Sequence, residues 1–193
     1  MSSPIVESIR KRFNDKAHVE AYTTESMNWF RKFVGSKYFQ IPGLKILRDY
    51  KKTTNIKLGH IYSYGYDPKW KDSLDYYDTF PLVLVIGLYD DGWLGINLHY
   101  VPVKYRYLIF EGLLKTLHDQ TINERTRFKI TYDKLNALKI SKWTGNTIKR
   151  YLFDYVPTNI YKIPPEDWEI IMALPYDDFV GAPRRQVYRE MLQ

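Results

Sequence analysis

The chain has 193 residues, 45% hydrophobic and 26% charged, with a net charge of +7; that is length for one domain with its own core, and too apolar for a disordered segment. It has no cysteine, which excludes disulfides, thiolate chemistry and cysteine-ligated zinc. Its longest apolar run, "FPLVLVIGLY", is far short of a membrane span and "MSSPIVESIRKRF" has no signal-peptide core, so a soluble protein without a membrane partner is expected.

In chain order, Ser3-Pro4 reads as a helix cap followed by proline at the first helical position. Ile5, Ile9 and Phe13 then form one apolar stripe, with Arg10, Lys11 and Arg12 off it. A second helix is predicted over 17–34, with Val19, Tyr22, Phe30 and Phe33 on one face and Gly35 as its C-cap. "GLKILRDY" and "GHIYSYGY" mix β-branched and aromatic residues and read as strands, and the acidic "YDPKWKDSLDYYD" reads as turns. "FPLVLVIGLY" is a strand buried on both faces. "DDG" turns the chain into the returning strand "WLGINLHYV", with positive φ expected at the turn. Pro102 opens a helix carrying Val103, Tyr107, Phe110, Leu114 and Leu117 and ending near His118. A short strand is predicted at 128–131, a short helix from Asn146 or Thr147, a strand at 159–163, a helix starting at Pro165 and a last helix in "APRRQVYREML".

Helices first, strands in the middle and mixed elements at the end favour an α+β fold. The strands of 44–101, with 159–163, suit a small antiparallel SH3-like β-barrel. A single domain is expected. It comprises an N-terminal helical pair (1–35), the barrel strands, a helical insertion (102–155) and C-terminal helices (165–193).

Two features bear on partners. Aromatics reach 17%, with 18 Tyr, and a large apolar ring with a polar tip suits protein interfaces or platforms for bases. Charge is also segregated. Residues 1–60 carry 12 basic and 5 acidic side chains and residues 104–163 the same, whereas 61–103 carry 2 and 6. Should the two basic segments share a face, they would attract phosphate; should they not, they are solvated surface.

Candidate chemistry is sparse. His18, His60, His99 and His118 show no metal-ligand spacing, and His99 reads as a hydrogen-bonded structural residue. Asp67, Asp72, Asp75, Asp78, Asp90 and Asp91 raise a metal-dependent nuclease reading, but all fall in or beside turns, where Asp is favoured for its own backbone hydrogen bonds. Phosphate-loop and nucleophile-elbow motifs are missing. No catalytic residue, cofactor or metal is therefore assigned. The best nucleic-acid candidate is "SKWTGNTIKRY", which gathers Lys142, Trp143, Lys149, Arg150 and Tyr151 about an expected helix start. Its alternative is a helix cap with a buried Trp. Arg184, Arg185 and Arg189 are balanced by Asp177, Asp178 and Glu190.

The motifs "GHIYSYGYDPK", "YYDTFPLVLVI", "GWLGINLHYVPVKYR", "IKRYLFDYV" and "IPPEDWEIIMALP", in that order, resemble a small protein family of T-even-like contractile-tailed bacteriophages. The residues carrying the pattern are Tyr66, Asp67, Pro68, Tyr76, Tyr77, Phe80, Pro81, Gly95, Asn97, His99, Tyr100 and Trp168. Thr79 and Val101 stand where the family pattern has Arg and Leu. The resemblance supplies no catalytic residue. It implies a virion structural or assembly component of the tail, baseplate or neck. Such a protein is assembled in the host cytoplasm as part of a larger assembly and docks other phage structural proteins through exposed Tyr and Trp. The alternative is a phage DNA-binding protein protecting ends or assisting packaging or replication, with Arg10, Lys11 and Arg12 converging on the Lys142–Arg150 segment.

Overall fold

The computed structural model describes residues 2–38, 41–109 and 147–191. The expected strand at 128–131, the helix beyond residue 109, Lys142 and Trp143 lie outside them. Helix α1 (Pro4–Lys16) starts where the sequence places it, with the Ser3 hydroxyl accepting from the Ile5 amide and proline in the first turn. Its buried stripe is Val6, Ile9 and Phe13, with Ile5 half-buried at the margin. Helix α2 (Thr24–Lys37) begins seven residues later than the apolar pattern suggests, because Thr23 and Ser26 form a reciprocal capping box. Val19 and Tyr22 therefore precede the helix and are exposed, and Gly35 lies inside it.

Residues expected to open the sheet instead form α3 (Gly43–Leu47), which buries Ile46 and Leu47. The main sheet comprises β1 (Lys52–Thr53), β2 (Ile61–Ser63), β4 (Leu82–Tyr89), β5 (Gly92–Asn97), β6 (Ile148–Leu152) and β7 (Ile160–Ile163). A two-stranded ribbon pairs β3 (Tyr77–Asp78) with β8 (Phe179–Val180). Helical segments follow at 103–109 (α4), Trp168–Ala173 (α5) and Arg184–Glu190 (α6). Among the described residues no helix is long and apolar enough to cross a membrane.

Strand order in the main sheet is β1-β7-β2-β4-β5-β6, antiparallel throughout. Strands β1 and β6 are edges that do not pair with each other, so the sheet is open and the expected SH3-like barrel does not form. Closure needs strands long enough to tilt and coil around a shared interior, and β1 has two residues and β2 three. The interior is supplied by helices instead. Leu82, Leu84 and Ile86 of β4 join Ile96 and Ile163 in one core with α1, α2, α3 and α5. Each such side chain stabilises by about 1.5–3 kcal/mol when fully buried. On the opposite face, Val83 and Val85 pack in a second core made mostly of rings: Tyr62, Tyr64, Tyr66, Trp93 and Tyr151. The double burial read from "FPLVLVIGLY" is thus what β4 shows over its first five residues.

The segment expected to be a helix after Asn146 is β6. It lies along β5, where Gly92 stands opposite Leu152 and a Cβ would fall 1.9 Å from the Tyr151 carbonyl oxygen. In the β4–β5 turn the positive φ expected of Asp and Gly falls on Gly92 alone (159°), not on Asp90 or Asp91.

Helix α5 is held to α2 partly by a buried acid. Glu169 accepts from the Ser26 hydroxyl and, at 3.2 Å, from the Tyr22 amide. Burial raises its pKa above the ordinary 4.5, outweighing these hydrogen bonds. The folded chain therefore keeps the proton where the unfolded chain has lost it. The associated stability is full below pH 4.5 and is lost as pH rises through the raised folded value. Relative to Glu169→Gln, the wild type should lose unfolding free energy from pH 4.5 to neutral pH; urea titrations of both proteins would show it, and a pH-independent difference would refute it.

Candidate nucleic-acid interface

A cleft of 310 Å³ opens between the 67–77 loop and edge strand β6. Tyr66, Asp67 and Pro68 lead into that loop, and Pro68 receives the Lys71 amide in a turn. A single 3-10 turn, Lys71–Ser73, follows before β3 carries Tyr77 and Asp78 back to the sheet. Trp70 has no helix or strand to bury it and is 68% exposed, the most exposed large hydrophobic side chain among the described residues. Tyr76 and Tyr100 face each other across 6.0 Å. Tyr66 and Tyr151 close the inner end with rings 4.9 Å apart.

The floor is polar and fixed. Asp78 Oδ1 accepts from the Phe80 amide at 3.0 Å and the Asp178 amide at 3.3 Å. Its Oδ2 accepts from Asn97 Nδ2 at 3.0 Å and from His99 Nδ1 at 2.9 Å. Asn97 in turn accepts from the His99 amide. His99 is fully buried and hydrogen-bonded to Asp78, but it does not alternate along the strand as expected: β5 ends at Asn97 and His99 lies in the 3-10 turn Leu98–Tyr100.

Cations stand around this floor. Strand β6 alternates, so Lys149 and Arg150 point to opposite faces. Arg150 stacks 3.9 Å above the Tyr89 ring and pairs with Asp91. Lys149 has only Gly95 opposite it across the strand pair, and its ammonium lies 5.0 Å from the Tyr100 ring centroid. Among the described residues no carboxylate pairs with it, and burial pushes its pKa down. Lys69 lies 5.3 Å from the Trp70 ring. Asp67 at the lip is held by Lys71 at 2.9 Å.

The other anticipated contacts go elsewhere. Arg10 pairs with Asp167, which also accepts from the Tyr50 hydroxyl at 2.7 Å, and it bonds the Glu166 carbonyl. It therefore fastens α1 to the start of α5. Lys11 and Arg12 are exposed on α1, which packs against α3 and α5, whereas β6 is the far edge of the sheet. Hence the structure does not bring Arg10 beside Lys149 and Arg150. Trp168 belongs to the core and donates to the Ile163 carbonyl at 2.9 Å, and Phe80 and Pro81 are buried. A wider cleft of 650 Å³ between α2 and α6 is lined by Arg31, Arg184 and Arg185, with Arg184 paired to Asp177, as the sequence balance implies. Lys69 and Trp70 escaped the sequence reading as contacts. The signal was there, in a tryptophan between two lysines within a turn, "KWK".

A protein-family model described as "Phage T4 terminal DNA protecting protein" matches residues 2–192. The chain belongs to that family. No curated protein and no solved structure matches it. The family membership bears out the T-even-like resemblance and makes this a phage protein. It also corrects the expectation of a tail or baseplate subunit, since the family is described by what it does for DNA termini. Protection of that kind is a non-catalytic task. The aspartates of the nuclease reading are dispersed, Asp67 on Lys71, Asp91 on Arg150 and Asp78 in its own network. Among the described residues no three acidic or histidine side chains are grouped to hold a metal.

A half-buried cation without a counter-ion costs stability, so Lys149→Met should leave the chain at least as stable as the wild type in thermal unfolding. Its lowered folded pKa implies that the folded chain holds fewer protons as pH approaches 10.5, so the wild type should gain on the variant over that range. A clearly less stable Lys149→Met would mean that an interaction beyond those described holds the ammonium.

Proposed function

We propose that the protein binds the ends of linear phage DNA and shields them from exonucleases. The observation that carries this reading is the match of residues 2–192 to a terminal DNA protecting family. The cleft beside β6 supports it, because aromatic rings set next to an uncompensated lysine are what exposed bases and phosphates require. The net charge of +7 assists the approach to a polyanion, and long-range attraction needs no single contiguous patch.

Linear duplex incubated with an exonuclease should survive longer when the protein is present, and an excess of closed circular DNA should not abolish that protection. Affinity should fall with salt, with a log–log slope of about −0.9 per phosphate engaged. Degradation at an unchanged rate, or protection titrated away by circles, would end the proposal.

A docking role toward other phage proteins is a second reading, favoured by one patch. Leu88 and Phe153 are each at least 40% exposed on the Trp93 side of the sheet end, where Phe153 rests on Trp93 at 5.1 Å, and Tyr89 is exposed on the other side of the same strand end. Apolar and aromatic side chains clustered in this way are the usual centre of a protein interface. Purified virions should then contain the chain at fixed stoichiometry, reduced by Leu88→Lys with Tyr89→Lys; its absence from particles would rule the reading out.

A further inference from the structure

Inside a duplex both faces of every base are covered by their neighbours, and side chains reach only the base edges in the grooves. A base face becomes available at an end, or when the nucleotide is unpaired or flipped out. A site that recognises termini can therefore be told from one that recognises duplex by whether it offers ring faces. The cleft beside β6 does so. Trp70 is exposed, and on the same loop Tyr76 reaches across to the buried ring of Tyr100. Its 310 Å³ lies at the low end of small-molecule sites, room for one nucleotide and not for a double helix.

The charges fit the same occupant. Lys149 and Lys69 line the cleft with no described carboxylate paired to either; Lys149 lies by the Tyr100 ring and Lys69 beside Trp70 at the opening. The nearby acids are engaged: Asp67 with Lys71, Asp91 with Arg150, and Asp78 with four donors in the floor. Asp72 and Asp75, on the same loop, do not line the cleft. The floor of Asn97 and Asp78 is locked by its own hydrogen bonds and offers little for reading base edges. The site is thus indifferent to sequence, as a protector of ends must be.

Resting on the end-protection reading, we propose that this cleft takes the terminal nucleotide of a DNA end, its base laid against the aromatic wall that includes Trp70 and its phosphate on Lys149. Stacking of one base is worth about tenfold or more in affinity. The lysine contributes one phosphate contact, about one unit of salt slope.

The test uses the full-length chain and short duplexes ending in one unpaired 2-aminopurine nucleotide, with two controls: the probe placed internally, and both ends closed by hairpins. Wild-type protein should change the fluorescence of the terminal probe and not of the internal one. Trp70→Ala and Lys149→Gln should each weaken binding to open ends about tenfold, and Lys149→Gln should lower the salt slope by about one. Lys11→Gln, on α1, should bind as wild type. Trp70 is a surface side chain, so its removal leaves the core intact, and circular dichroism of each variant checks that. Preference of the wild type for open over hairpin ends, together with unaffected binding by Trp70→Ala and Lys149→Gln or an unresponsive terminal probe, overturns the cleft assignment and leaves end protection standing. Equal binding to open and hairpin-closed duplexes overturns both.

Discussion

One buried carboxylate holds the cleft in place. Asp78 is 4% exposed and accepts four hydrogen bonds from three stretches of chain: Phe80 in the bend after its strand, the 97–99 corner, and Asp178 before β8. A carboxylate is costly to bury unless its oxygens are saturated by donors, and here each oxygen has two. The result is a junction between the main sheet and the small ribbon. Tyr76 and Tyr77 precede the junction and Tyr100 follows the other arm of it, so the two aromatic walls of the cleft are set by a single polar centre. Removing any one donor leaves the remaining groups buried with fewer partners, which is why such centres resist partial change.

The tyrosines separate into two uses, and position along the sheet decides which. Tyr62, Tyr64 and Tyr151, with Trp93, are covered completely or nearly so and make up a ring-on-ring layer beneath the sheet. That layer stands in for the second sheet or second set of helices that an open sheet needs on its far face. Tyr66 at the margin of that layer, with Tyr76, Tyr77 and Tyr100 beside it, lines the cleft; Tyr66 and Tyr100 are still buried there, and Tyr76 and Tyr77 are half-buried. An aromatic excess visible in the composition is therefore mostly internal packing, with a functional margin where packing runs out.

Much of the backbone was legible from local chemistry. The Ser3-Pro4 start, the β4–β5 hairpin, and the strand and helix around Ile163 and Pro165 follow from caps, alternation and proline placement. Two departures share a cause: short amphipathic stretches whose partner decides their state. "GLKIL" buries two residues against the helical core as a turn of helix, while "IKRYL" becomes a strand because β5 offers an unpaired edge. The same error hid the cleft. Read as a helix, the segment after Asn146 spreads Lys149, Arg150 and Tyr151 around a cylinder. As β6 it sets Lys149 and Tyr151 on one face, beside the loop that carries Trp70. Arg10 was misread for a different reason. No pattern in one sequence shows that Asp167, 157 residues away, accepts its guanidinium.

The distribution of charge bears on how a terminus is distinguished from the rest of a polyanion. A protein that concentrated its excess of seven positive charges on one groove would bind any duplex along its length, since phosphate contacts carry no positional information. Here several cations are withdrawn into ion pairs: Arg10 with Asp167, Arg150 with Asp91, Arg184 with Asp177 and Lys71 with Asp67. Paired cations compete poorly for phosphate, so the strength of indiscriminate duplex binding is held down. Other cations, among them Lys11, Arg12 and Lys69, pair with no described carboxylate and sustain a general attraction. Lys149, recessed among rings, adds to it a contact that a phosphate makes best when its base can enter beside it, and selectivity for ends then comes from that added contact.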